Sequence, residues 1–179
     1  GLWIGFSIDG DPYWLQADPS RVELVTGTTW VIWLSTAAVL SLMGAALIAR
    51  LVAWLIHLSG KHVGLACRDG LFLDRRQVEK SDCANWAAGQ RLLINRSLEA
   101  AVFENSAEVI LGQGIAYDRC QVGIVTDTLG AEALGHYDIH DAEQVFHVLR
   151  TQVDIVLSDG AAVLNAADPH VVRMADLCD

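Results

Sequence analysis

Residues 30–49 read WVIWLSTAAVLSLMGAALIA, and no charged side chain occurs anywhere from Leu24 to Ala49. About 20 apolar residues of helix cross the hydrocarbon core of a bilayer, so this run is long enough to span one. Trp30 and Trp33 stand where interfacial aromatics anchor one end. Arg50 and Lys61 follow the other end and favour it as the cytoplasmic side. Gly44 and its small neighbours allow close helix packing, although a single glycine is no dimerisation motif. The alternative is an apolar core helix of a soluble protein. The length without charge predicts a transmembrane helix over 30–49.

On its amino-terminal side, the segment from Trp3 to Leu15 alternates, breaks at Gly10-Asp11-Pro12 and resumes, as a hairpin does. The chain opens on Gly1 without a basic n-region, which argues against an ordinary signal peptide. The lack of an initiator methionine suggests a fragment or a processed product.

Beyond Lys61 the composition changes. The net charge of −10 is concentrated there, with eighteen acids and ten bases in 61–179 against four and two in 1–60. So acidic a segment repels a phosphate backbone, which excludes nucleic acid as a partner. Cys67, Cys83, Cys120 and Cys178 all lie after residue 60 and share no close metal-ligand spacing. Buried thiols in a reduced compartment are the plain reading.

The rhythm after Gly60 is of short apolar runs separated by turns and amphipathic helices. HVGLAC (62–67) predicts a strand and Asp69-Gly70 a turn. A helix is predicted over 85–101, a strand over 101–104 and another over 121–126. A helix follows over 141–151, capped by Asp138 or Asp141. Strands over 153–157 and 161–165 flank an Asp159-Gly160 turn, and a helix starts at Asp168-Pro169. Strands alternating with helices predict an α/β fold with a mostly parallel sheet covered on both faces. Ligands bind such sheets at the carboxyl ends of strands. Glu104, Thr126-Asp127 and Asn165 to Asp168 fall at such ends.

Two resemblances follow from the motifs. Residues 1–50 resemble the periplasmic end and transmembrane helix of an osmosensor-type bacterial sensor histidine kinase, although His57 stands in no H-E box. Residues 49–179 resemble the central, Mur-ligase-like part of cyanophycin synthetase. The match runs through DGLFLDRRQVEKSDCANWAAGQRLLINRS, AAVFENSAEVILGQGIAYDRCQVGIVT, DIHDAEQVFHVLRTQVDIVL and AVLNAADP. Even ARLVAWLIHLSGKHVG (49–64) looks like the helix after that family's phosphate loop.

The second resemblance implies an ATP-dependent acid–amine ligase. ATP phosphorylates a carboxylate, an amine attacks the acyl phosphate, and arginine is joined to a poly-aspartate backbone. It implies ATP and Mg²⁺ as cofactors. Glu104 matches the magnesium-binding acid, a role suited to a strand-end carboxylate. Asp69, in Cys67-Arg68-Asp69-Gly70, matches a T-x-x-D-G turn, and Asn165 and Asp168 match an L-N-A-D-D-P stretch near the nucleotide. The ordinary alternatives are a solvated acid, a turn former and a helix cap. No catalytic residue is assigned.

Two departures weaken the implied activity. The family's T-N-x-D-x-x-D-H-L-G has Asp127 in place of its asparagine and Ala133 in place of its histidine, with His136 three positions on. The phosphate loop G-T-x-G-K-T-T should stand just before residue 49, where this chain reads LMGAALI (42–48). Gly27-Thr28-Thr29 echoes it without the lysine. Backbone N–H groups and that lysine are what surround the phosphates. The ATP-grasp region and the last ligase domain have no counterpart in these residues.

These features predict a hairpin fragment over 1–29, a membrane helix over 30–49 and an incomplete ligase domain over 50–179, joined as two gene pieces near Ala49-Arg50. A membrane and a second copy of the chain are candidate partners. The location is the membrane if 30–49 inserts, and otherwise cytoplasmic as for the resembled ligase. The competing function is a membrane fragment of a sensor kinase without its catalytic domains. A non-catalytic interaction module is the third.

Overall fold

The computed structural model describes residues 2–8, 11–17 and 44–178. The chain divides into two units, 1–42 and 43–179. In the first, β1 (Leu2–Ile8) and β2 (Asp11–Ala17) form an antiparallel hairpin in which Ile8 faces Asp11. Residues 30–43 of the expected membrane helix lie outside the described residues.

In the second unit, α1 spans 44–58. The four-stranded sheet has the order β5-β4-β3-β6: β3 (Val63–Cys67), β4 (Gly70–Leu73), β5 (Arg76–Glu79) and β6 (Ala100–Phe103). Every residue of β3 is buried, because both faces are covered. Val63, Leu65 and Cys67 pack with Ala49 and Ala53 of α1, while Ala66 packs with Ala88 and Leu92 of α2 (Trp86–Leu93). The period-two alternation of a strand sends successive side chains to opposite faces. Gly64 belongs to the α2 face, where a Cβ would stand 2.6 Å from Leu98 Cδ1 and 2.8 Å from Leu92 Cδ2.

The remaining elements are α3 (Ala107–Gln113), β7 (Cys120–Val125), α4 (Ala142–Leu149), α5 (Thr151–Asp154), β8 (Val156–Leu164) and α6 (Pro169–Arg173). β7 and β8 pair in parallel. Their core joins Val125 to Leu134, Val145, Phe146, Leu149, Val153, Val171 and Met174.

The expected mostly parallel sheet is corrected to mixed sheets. β3 pairs with β6 in parallel, but β3–β4 and β4–β5 are antiparallel. Only Arg68 and Asp69 separate β3 from β4, and a link that short can join only antiparallel strands. Asp74, in the left-handed region at φ 53°, closes the next turn. The expected helix over 85–101 stops at Leu93, and just beyond it the side-chain Oδ1 of Asn95 accepts from the N–H and the hydroxyl of Ser97. The two short strands expected around Asp159-Gly160 are one strand, β8, with a register irregularity.

The expected transmembrane helix is also corrected. Residues 44–49 open α1, which runs on past Arg50 and rests on the sheet through Ala49 and Ala53. Among the described residues no helix is long and apolar enough to cross a membrane.

Candidate functional site

Parallel pairing of β3 with β6 sets the exits of these strands side by side. Glu104, the first residue beyond β6, is buried. Its N–H donates to Ala66 O (2.9 Å), and its Oε2 accepts from the Arg68 N–H (2.7 Å). Asp69, next along the same turn, is half-buried. Its Oδ2 accepts from Arg50 Nη1 at 3.1 Å, and its carbonyl oxygen accepts from Gln77 Nε2 at 2.9 Å. The Arg50 guanidinium lies 5.4 Å from the centre of the Phe72 ring. Sequence reasoning gives Arg50 only as a flanking charge, because its partner lies nineteen residues on.

The exits of β7 and β8 form a second cluster. Asn165 Nδ2 donates to Thr126 O at 2.7 Å, and its Oδ1 accepts from the Ala167 N–H at 3.0 Å. Asp168 Oδ2 accepts from both the N–H and the hydroxyl of Thr128, at 2.9 and 3.0 Å. Asp168 Oδ1 accepts from the N–H groups of His170 and Val171 at the start of α6, at 2.8 and 3.3 Å. Burial pushes the Asp168 carboxyl up, but these donors outweigh it and hold it below its usual 3.8. Asp127 is engaged locally, accepting from Thr126 Oγ1 and from the Leu129 N–H. His136 is exposed and lies against Tyr137, ring centres 4.1 Å apart.

The structure therefore brings Asp69 and Glu104 together at one pair of strand ends, and Asn165 and Asp168 at another. The Asn105 side chain spans from the first pair toward α5, donating to Tyr117 Oη (3.0 Å) and Gln152 Oε1 (3.2 Å). Sequence reasoning misses Asn105 and Thr128: Thr128 stands at a variable position of the T-N-x-D motif, and Asn105 follows Glu104 with no motif requirement of its own.

These residues do not fit a magnesium nucleotide as they are arranged. The void beside Glu104, lined also by Asn85 and Asn105, holds about 10 Å³, room for about one water. A larger hollow of about 440 Å³ is bordered by Asp82 and Glu108, whose charge opposes a phosphate. Among the described residues no group of three His, Cys, Asp or Glu side chains is placed to hold a metal ion. Asp69, Asn165 and Asp168 already serve as acceptors for the protein's own donors.

No family model matches the chain. It is 36% identical over 160 residues to the cyanophycin synthetase of Crocosphaera subtropica, covering 88% of this chain and 17% of that protein. The cyanophycin synthetase of a Synechocystis species matches at the same identity and coverage. That of Trichormus variabilis is 32% identical over 127 residues, 71% of this chain and 14% of the relative. The chain thus spans about one sixth of the length of the curated relatives it matches and is homologous to that segment, a ligase-like relationship.

The extent of the match corrects the reading of residues 1–50. A match over 88% of 179 residues leaves about 21 outside it. Wherever its ends lie, it takes in most of 24–49. The second half of the stretch assigned to a sensor histidine kinase therefore aligns with the same relatives as the rest. The sensor-kinase function, the membrane as partner, insertion of 30–49 as the location and the junction of two unrelated gene pieces fall with that assignment.

Proposed function

We propose that this chain is a folded but non-turning-over counterpart of the Mur-ligase-like segment of cyanophycin synthetase. In that reading the ancestral chemistry is ATP-dependent acid–amine ligation, with arginine as the amine and a poly-aspartate side chain as the acid. Glu104 occupies the position of the magnesium-binding acid, and Asp69, Asn165 and Asp168 those of the nucleotide-side residues. The observation that carries the proposal is that the last three are spent on internal bonds. The sequence supports it independently. LMGAALI (42–48) supplies no lysine where the phosphate loop is due, and a triphosphate without such a cradle meets an acidic protein unshielded.

Phosphate release from Mg-ATP in the presence of arginine and a poly-aspartate acceptor tests the proposal. The expected result is a rate equal to the protein-free background. Release that requires both acceptor and arginine would overturn it.

A further inference from the structure

The last turn of α1 ends against one carboxylate that two histidines share. Asp74, in the turn between β4 and β5, is that carboxylate. Its Oδ1 accepts from the Val63 N–H at 2.9 Å and lies 3.4 Å from His57 Nδ1, while its Oδ2 lies 3.1 Å from His62 Nδ1. His57 belongs to α1 and His62 to the chain just before β3. His57 Nδ1 is closed off from solvent, and no hydrogen bond reaches it. A neutral ring presents only a dipole to Asp74 at that point, and an imidazolium a full charge.

The two rings are what balances Asp74. Among the described residues Lys61, Arg75 and Arg76 are exposed and form no ion pair with it. The other charge in the cluster is Glu99, whose Oε2 accepts from the His62 N–H at 3.0 Å. With both rings protonated, two positive charges meet two negative ones. With both neutral, two carboxylates stand uncompensated near the carboxyl end of α1, which is itself negative. The other titratable groups under α1 do not change over the histidine range. Arg50 stays charged 3.1 Å from Asp69 Oδ2, and burial pushes the Cys67 thiol up, so it stays neutral. Glu143 gives the contrast. His147 and His170 face it too, but Arg173 binds both of its oxygens, at 2.6 and 3.0 Å, whatever the pH.

Apolar contact holds the end of α1 only lightly. The helix meets the sheet through Ala49, Ala53 and Ile56, whereas Leu55 and Leu58 are 52 and 61% exposed. Small side chains remove little area from water, so the polar contacts at the two ends of the helix carry more of its attachment.

We infer that His57, Asp74 and His62 form a pH-sensitive latch, which fastens the last turn of α1 to the sheet when the histidines are protonated and frees it when they are neutral. This goes beyond the proposed loss of turnover and is independent of it.

Amide hydrogen exchange of the full chain at about pH 5.5 and about pH 8, on either side of the histidine range, tests the latch. Rates are expressed as protection over the intrinsic rate at each pH. The amides of 55–60 report the turn, since those of Ser59 and Gly60 bond back to Leu55, Ile56 and His57. Their protection is expected to fall about three- to tenfold from the lower to the higher pH, with a change below about twofold in α4. His57→Gln is expected to remove that fall. Equal protection at both pH values would overturn the inference. So would a fall that persists in His57→Gln, or an equal fall in α4, which marks a global loss of stability. Should the variant not fold, nuclear magnetic resonance of the wild type gives the second reading. The Ser59 and Gly60 amide shifts should then titrate with the midpoint of the His57 ring, and a different midpoint would overturn the latch.

Discussion

The backbone N–H of Arg68 donates to Glu104 Oε2 across 2.7 Å. With the Glu104 N–H on Ala66 O, this bond ties the exit of β6 to the exit of β3. Glu104→Ala strands a donor at the edge of the core, a loss of about 1–3 kcal/mol. Glu104→Gln keeps an acceptor oxygen and is expected to cost less. Urea denaturation measures both, and an alanine variant as stable as the wild type would remove the structural role.

Asp168 accepts from four donors that join the β7 exit to the start of α6. Asp168→Ala is expected to cost about 2 kcal/mol, more than an average helix cap. Amide hydrogen exchange should quicken at Thr128, His170 and Val171. Unchanged exchange at those amides would show that the carboxylate is not spent on them.

Which parts of this fold are legible in the sequence follows from range. β3, β6, β7 and the caps Asp141 and Asp168 are readable because apolar runs and side-chain caps are local signals. The β4–β5 hairpin is not, since its turn rests on Asp74 at positive φ and its alternation is short. Strand direction was misjudged because alternation of strands and helices says nothing of a hairpin inserted between them. The candidate residues were legible as strand-end positions, but their engagement was not. Arg50 with Asp69, and Thr128 with Asp168, are contacts across nineteen and forty residues. The long apolar run misled for a related reason: hydropathy does not distinguish lipid from a protein partner as the apolar surroundings of a helix.

The pH dependence has two arms. Asp74 is held below its usual 3.8 first by the Val63 N–H and then by His62, and Glu143 below 4.5 first by Arg173. A depressed folded value contributes stability that is full above the unfolded value and lost as pH falls through the folded one. His62 is raised above 6.5 by its bond to Asp74, so its contribution is full below 6.5 and lost as pH rises through the folded value. Thermal melts should therefore show a fall in midpoint on acidification below the carboxylate values and a smaller decline above 6.5. Asp74→Asn should flatten the upper arm, and an unaltered upper arm would contradict the His62–Asp74 assignment.

Gly70 opens β4 at φ 139°, and a Cβ there would run into the backbone carbonyl of Glu79. Gly70→Ala is expected to cost about 2–4 kcal/mol, combining strain with a clash that no side-chain rotation relieves. Denaturant midpoints check it, and a cost under about 0.5 kcal/mol, the range of an ordinary surface change, would show that the turn relaxes freely.

The proposed function holds that Asp69, Asn165 and Asp168 are spent on the protein's own donors and that LMGAALI (42–48) supplies no lysine for a phosphate loop. Isothermal titration of the full chain with Mg-ATP tests it most directly. The expected result is no heat of binding tighter than about millimolar. A one-to-one isotherm with a micromolar Kd would contradict it.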